Sequence, residues 1–348
     1  MKVKNIFIFS VVLLTVAGLV VPVNAGNPEK IGTAAAEERL LPIGARGTAL
    51  GGACLANING VEALYWNPAG IANTAQNVEA MFSYMRYIAD INITNAAVAT
   101  RLGFGSLAFS FQTIGFGEIA QTTEDAPEGT GVMFSPTYFT LSAAFSRTMT
   151  DRIYAGVAVK LVSEKIMGMG ATGVALDMGV QYITAVGVKI GVAMKNYGTG
   201  LKFSGSDVER LTELPDTEPQ TPPHRLAFPT QHAEFPSTFE MGVSYEFKPM
   251  EMSSLLIMGN FRNQNFTNDE ILGGAEFAYN DMFFLRGGYS YGTNQTEYAG
   301  KKNYIFGPTF GGGFKYTLTG NTRIVLDYTY RVTEFFDDSN IFTVKLLF

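Results

Sequence analysis

The chain has 348 residues, a formal charge of −6, 16% charged and 47% hydrophobic side chains, and a mean hydropathy of +0.11. The acidic balance excludes a polybasic surface for nucleic acid or anionic lipid, and the single cysteine, Cys54, excludes an internal disulfide. With 38 Gly, 27 Phe and 16 Tyr the composition is more apolar than that of an ordinary soluble domain.

At the N-terminus, Lys2 and Lys4 precede an apolar run from Ile6 to about Val23, and Val23-Asn24-Ala25 offers the small residues of a cleavage site. Residues 1–25 therefore read as a secretory signal peptide, and its loss removes two lysines and no acid, taking the formal charge to −8. Cys54 lies too far beyond that site to be a lipidated N-terminus. No later stretch supplies the eighteen or so apolar residues of a spanning helix. An exported apolar chain of this kind has one membrane solution, the closed β-barrel.

Residues 44–72, GARGTALGGACLANINGVEALYWNPAGIA, are rich in small residues and read as helix, loop, helix, turn. Ala49, Cys54, Val61, Ala63 and Leu64 are expected to pack closely. The sole tryptophan, Trp66, precedes Asn67-Pro68-Ala69-Gly70. Pro68 fixes its own φ and pushes Asn67 out of the helical region, and Gly70 admits φ > 0, so a helix through 61–65 is expected to stop here.

From residue 78 onward the chain alternates. FEMGVSYEF (239–247) sets Phe239, Met241, Val243, Tyr245 and Phe247 against Glu240, Gly242, Ser244 and Glu246; VALDMGVQY (174–182) and RIVLDYTYR (323–331) do the same. Lys160, Asp177, Lys189, Glu240, Glu246, Arg262, Glu276, Arg286, Arg323 and Asp327 all fall opposite the aliphatic face. A soluble sandwich also alternates, but its strands average about five or six residues around an aliphatic core. Runs of nine to twelve residues with Tyr and Phe clustered at their ends fit an interfacial girdle instead. Short links near 102–105, 149–151, 184–187, 248–251, 280–281 and 318–321 alternate with longer ones near 115–135, 164–171, 197–236, 263–269, 292–303 and 333–340. The expected fold is all-β: a transmembrane antiparallel β-barrel of about fourteen strands over 78–348, with short periplasmic turns and long extracellular loops. Residues 26–77 are then expected to form a small helical hatch that fills the lumen, with Trp66–Gly70 as a structural anchor leading into strand one at about Val78.

Motifs of catalytic appearance read as structural. GYSYG (288–292) fits the nucleophile pattern, yet Ser290 sits in strand alternation and both histidines, His224 and His232, lie in one loop. GMGATG (168–173) precedes a strand rather than a helix, so it reads as a glycine hairpin loop without a phosphate site. Asp207, Glu209, Glu213 and Asp216 lack the spacing of a calcium loop. No catalytic, cofactor or metal site is expected, and the luminal Arg262, Arg286, Arg323 and Asp327 receive no specific role.

The final IFTVKLLF places Phe342, Val344, Leu346 and the terminal Phe348 on one face and Thr343 and Lys345 on the other. This resembles the signal read by the barrel assembly machinery of a Gram-negative-type outer membrane. A second resemblance rests on Ala45, Arg46, Gly51, Gly52, Ala53 and the run Ala63-Leu64-Tyr65-Trp66-Asn67-Pro68-Ala69-Gly70. These residues resemble the N-terminal signature of the PorV/PorQ family of outer-membrane proteins, relatives of the FadL-like fatty acid transporters. Asn57-Ile58-Asn59-Gly60 stand where such proteins often carry acids. The resemblance implies a component of type IX-like protein secretion that docks secreted cargo or secretion-system partners through outer loops, 197–236 and 292–303 above all. As its alternative it implies a FadL-like channel for hydrophobic small molecules, with outer-membrane lipid around the barrel. Leu256, Met258 and Phe284 are the apolar lumen candidates near the outer mouth.

Overall fold

The computed structural model of the protein describes residues 30–212, 224–293, 297–298, 301–302, 304–318, 320 and 322–348. The leader expected over 1–25, and Glu213 and Asp216, lie outside the described residues. Fourteen long strands form a single antiparallel sheet that closes on itself: β1 (Val78–Arg86), β2 (Asn92–Leu102), β3 (Gly105–Gly115), β4 (Thr137–Thr150), β5 (Ile153–Ile166), β6 (Met169–Ile183), β7 (Lys189–Gly198), β8 (Thr238–Met250), β9 (Ser253–Gln264), β10 (Glu270–Tyr279), β11 (Phe283–Gly292), β12 (Phe306–Thr317), β13 (Arg323–Thr333) and β14 (Ser339–Leu347). Each strand pairs with its sequence neighbours, and β1 closes the ring on β14 with Tyr84 opposite Phe342 and Phe82 opposite Val344. Closure leaves no barrel strand with an open edge, as a lipid environment demands.

The period of two sorts the side chains as expected. Phe82, Phe109, Leu141, Val159, Met241 and Leu326 face outward and are exposed, while charged residues on that face occur only near strand ends, as at Arg86 and Lys165. Burying such a belt in water is impossible for a monomer, so the belt is the lipid-facing surface. Tyrosines mark its upper edge, where Tyr84 and Tyr328 each donate a hydrogen bond of 2.6 Å to an asparagine diagonally across on the next strand, Asn92 and Asn340. Tyr182, Tyr279, Phe283 and Tyr316 mark the lower edge. Phe342, Val344 and Leu346 face outward on β14, and the terminal Phe348 is exposed beside the start of β1.

Connections are of two kinds, one at each end of the barrel. One end carries tight turns and the start of β1 and end of β14; the other carries the long loops, including a ribbon of Glu209–Thr212 with His224–Ala227. Two details differ from expectation. A further loop-end link, 87–91, separates β1 from β2, and the loop expected at 164–171 shrinks to Met167-Gly168, because Gly170, Ala171 and Thr172 continue the ladder opposite Lys165, Glu164 and Ser163. Met167 takes φ 51° to make that turn, and Asp207 caps it by accepting the Gly168 amide at 2.9 Å.

Inside the wall lies the N-terminal segment. It begins at the loop end as a strap over 30–42, descends through α1 (Ala45–Ala49) and α2 (Ala63–Trp66), and leaves at the turn end where β1 starts. Ala49, Cys54, Val61, Ala63 and Leu64 are all buried, the last four in a cluster with wall residues Met81, Ala97, Leu256 and Met258.

Candidate functional site

The plug is organised around Trp66, which is 2% exposed. α2 ends there because Asn67 is extended (φ −156°, ψ 105°), the conformation that Pro68 imposes on its predecessor. Asn67 then caps the next short turn, its Oδ1 accepting from Ala69 N at 3.2 Å, while its Nδ2 donates to Leu55 O at 3.1 Å and to Val180 O of β6 at 3.3 Å. Trp66 Nε1 donates to Ile43 O at 3.0 Å, and its ring meets Tyr65 edge-on at 4.9 Å. Gly70 serves a purpose other than the expected φ > 0. A Cβ there would strike the carbonyl of Ile58, so the residue is small to let two plug segments touch.

The same device recurs on the wall. Cβ atoms at Gly156 or Gly179 would fall on Pro68 or Asn67, and one at Gly274 would lie 2.5 Å from Leu50 O. Wall glycines thus give the plug backbone direct contact with the sheet. On the plug side, Gly51 and Gly52 have φ of +63° and +80° and turn the chain after α1, with Gly51 against the Tyr289 backbone.

Two ionic chains couple plug to wall. Arg46 of α1 donates two hydrogen bonds to Glu276, at 2.8 and 3.0 Å. Glu276 also accepts from Arg286 (2.6 Å), Arg286 reaches Asp327 (2.6 Å), Asp327 meets Lys345 (3.1 Å), and Lys345 returns to the plug at Glu62 (2.9 Å). Glu62 closes the circuit by accepting the Gly47 amide of α1 at 3.0 Å. The six charges sum to zero, and every member is buried or nearly so, which is the condition for a low-dielectric ion network to hold. The second chain runs Lys195, Glu240, Arg262, Glu270, with N to O distances of 2.7, 3.1 and 2.7 Å, and Lys195 stands over the rings of Tyr65 and Trp66 at 5.0 and 5.6 Å. Lys160 pairs with Asp177 and bonds Asn196.

Above the plug lies a vestibule of about 860 Å³. Thr48, Gly51, Gly52, Tyr65 and Trp66 form its floor, and Leu40, Leu41 and Pro42 of the strap bound it. Its wall carries Arg262, Glu270, Ser290, Phe306 and Arg331 on β9 to β13 with Tyr304 just before β12, and Tyr138 and Glu164 on β4 and β5 with Tyr87, Ile91 and Phe116 in the adjoining links. Volume and lining suit a small apolar molecule held by a few polar groups. The strap is fastened by Ala35 N to Glu234 O (2.8 Å) and by Arg39, which donates to Gln112 (2.9 Å) and Thr140 (2.8 Å). Burial pushes the Glu38 carboxyl above its ordinary value, against the pull of Arg39.

No protein-family model matches the chain, and no curated protein matches it in sequence. Solved structures do match. The monoaromatic hydrocarbon channel CymD superposes with a TM-score of 0.56 at 12% identity, over 88% of this chain and 97% of that one. The toluene transporter TodX of Pseudomonas putida gives 0.55 at 13%, over 87% and 96%, and the toluene transporter TbuX of Ralstonia pickettii gives 0.54 at 13%, over 88% and 98%. The chain shares the barrel fold of these structures. At these identities the likeness is one of fold, and the PorV/PorQ branch gains nothing from it.

Of the residues singled out in the sequence, the structure brings Arg46, Gly51, Gly52, Tyr65, Trp66, Asn67, Pro68 and Gly70 together in the plug. Phe342, Val344, Leu346 and Phe348 lie apart from it on the outside. The apolar candidates need correction: Leu256 and Met258 sit low on β9 and pack against the plug rather than lining the outer mouth, and Arg286 covers the ring of Phe284 at 5.1 Å. The vestibule is built instead from the strap and from strand ends at the loop rim, where alternation fades and gives no signal. Ser290 and His232 do not meet; Ser290 faces the vestibule and His232 lies against Gly200. Among the described residues no three His, Cys, Asp or Glu side chains group as metal ligands, and Glu209 pairs with Arg225 at 3.4 Å.

Proposed function

We propose that the protein is an outer-membrane channel that admits a small hydrophobic solute through a plug-gated lumen, with the loop end outside the cell. The vestibule carries this reading: an apolar-lined chamber of ligand size whose floor is the Tyr65–Trp66 face of the plug. A solute entering from the loop end meets aromatic and aliphatic surface beside the Arg262–Glu270 pair, and only displacement of the plug opens the way further. The three hydrocarbon channels that share the fold support the choice of substrate class. The expected leader and outward-facing C-terminal strand support export and insertion by the barrel assembly machinery into the outer membrane, with lipid around the belt.

The secretion role implied by the PorV/PorQ resemblance takes second place. What favours it is the exposure of Leu226 and Phe228 at the loop end, beside the Glu209–Thr212 ribbon, where secreted cargo or a secretion component would dock. Initial entry of labelled ethylbenzene into a Gram-negative host decides between them. Uptake reading predicts faster entry with the barrel present than without it. Equal entry, with the folded barrel in the membrane, overturns it.

A further inference from the structure

The vestibule is chemically lopsided. Between β1 and β5 its wall is aromatic and apolar: Tyr87, Ile91 and Phe116, with the Phe116 ring edge-on to Tyr138 at 4.8 Å. Into this surface projects one carboxylate, Glu164 of β5. It is 5% exposed and lies opposite Tyr138 in the β4–β5 ladder; the Tyr138 hydroxyl and the Ala36 amide act on its carboxyl, while its Oε1 has no hydrogen-bond partner in the structure. A buried carboxylate oxygen left without a donor is costly, and native structures leave few of them without a reason.

The strap places Glu38 on the same cavity, close enough for its charge to act on Glu164. Arg39 is the cation nearest in sequence, but its guanidinium is engaged by the neutral acceptors Gln112 and Thr140. Glu37, Glu38 and Glu164 all reach this cavity, and among the described residues no salt bridge joins any of them to a cation. Carboxylate plus aromatic faces is the environment that selects a cation over a neutral group.

We propose that this end of the vestibule holds the ammonium head of an amphiphilic solute, donated to Glu164 Oε1 and flanked by Glu38 and the Phe116 and Tyr138 rings, while the apolar body lies on the Tyr65–Trp66 floor. The inference rests on the uptake reading and narrows its substrate class from apolar molecules to apolar molecules that end in an amine. Arg331 stands over the Phe306 ring at 3.5 Å on the β12–β13 side of the chamber.

The test is calorimetric titration of the full-length protein in a nonionic detergent with three probes of one shape: ethylbenzene, 2-phenylethanol and 2-phenylethylammonium. Emission of Trp66, the only tryptophan, reports whether each probe reaches the floor. The proposal expects the ammonium to bind roughly tenfold tighter than ethylbenzene, as one charge-assisted hydrogen bond warrants, with the alcohol near ethylbenzene. Glu164→Gln should abolish the margin between the ammonium and the alcohol. Glu38→Gln, on the strap and outside the barrel ladder, should reduce it in part. Equal binding of all three probes, or a margin that survives Glu164→Gln, overturns the proposal while the uptake reading stands. Binding of no probe overturns both.

Discussion

Replacing Arg46 by alanine should unlock the plug. Arg46 donates two hydrogen bonds to Glu276, and both side chains are largely buried, at 14% and 9% exposure. Stripping one partner from a buried ion pair costs about 3–5 kcal/mol, and since Glu276 keeps Arg286 the lower end applies, about 3 kcal/mol. That is roughly a 150-fold shift from docked to undocked plug. Cys54 makes the shift measurable, because it is the only cysteine and is fully buried in the plug. If labelling by a maleimide follows transient undocking, its rate tracks the undocked population and should rise roughly a hundredfold in Arg46→Ala. Glu62→Gln weakens the same ionic circuit at Lys345 and Gly47, so the double variant should cost less than the sum of the two singles. Labelling at the wild-type rate in Arg46→Ala, with the barrel still folded, would refute the claim that the ionic circuit holds the plug.

The remaining expectations concern packing and insertion. Gly156→Val should prevent the plug from seating against Pro68 and raise the liposome swelling rate with a small sugar, whereas Gly273→Ala, whose Cβ meets nothing within 4 Å, should leave it unchanged. Pro68 and Gly70 replaced together by alanine should raise permeability in the same assay, since the new Cβ at 70 meets Ile58 O; unchanged permeability would show that the turn is not part of the plug. Trp66→Ala should destabilise the plug by about 3–5 kcal/mol, read as accelerated Cys54 labelling. Deletion of Phe348 should lower the amount of heat-modifiable barrel recovered from the outer membrane, and normal recovery would count against a C-terminal assembly signal.

Strand alternation makes the barrel legible in the sequence, because lipid and lumen impose opposite chemistry on successive residues. The sorting of Lys160, Asp177, Glu240, Arg262, Glu276 and Asp327 to the inside follows from that alone. The turn at Asn67–Pro68 was legible for a local reason, since proline dictates the conformation of its predecessor. Other features depend on contacts far apart in sequence. Nothing near Gly156 or Gly274 signals that a plug backbone will lie against them, and Gly70 invites a φ argument when close packing is the cause. The Arg46 to Glu62 circuit joins residues up to 283 positions apart, so alternation shows that those charges face inward but not which ones meet. The strap at 30–42 carries no strand or helix periodicity that would mark it as a wall of the vestibule, and Glu38 and Glu164 gain their meaning only when it is in place.

The most direct test of the central claim is gentle detergent extraction of the tagged protein from its own outer membrane, followed by mass spectrometry of every protein and small molecule that accompanies it. The uptake account predicts a lone barrel carrying a reproducible hydrophobic molecule, lost when Trp66 is replaced by alanine. Recovery of secreted proteins or a large translocon with an empty vestibule would contradict it and restore the secretion role.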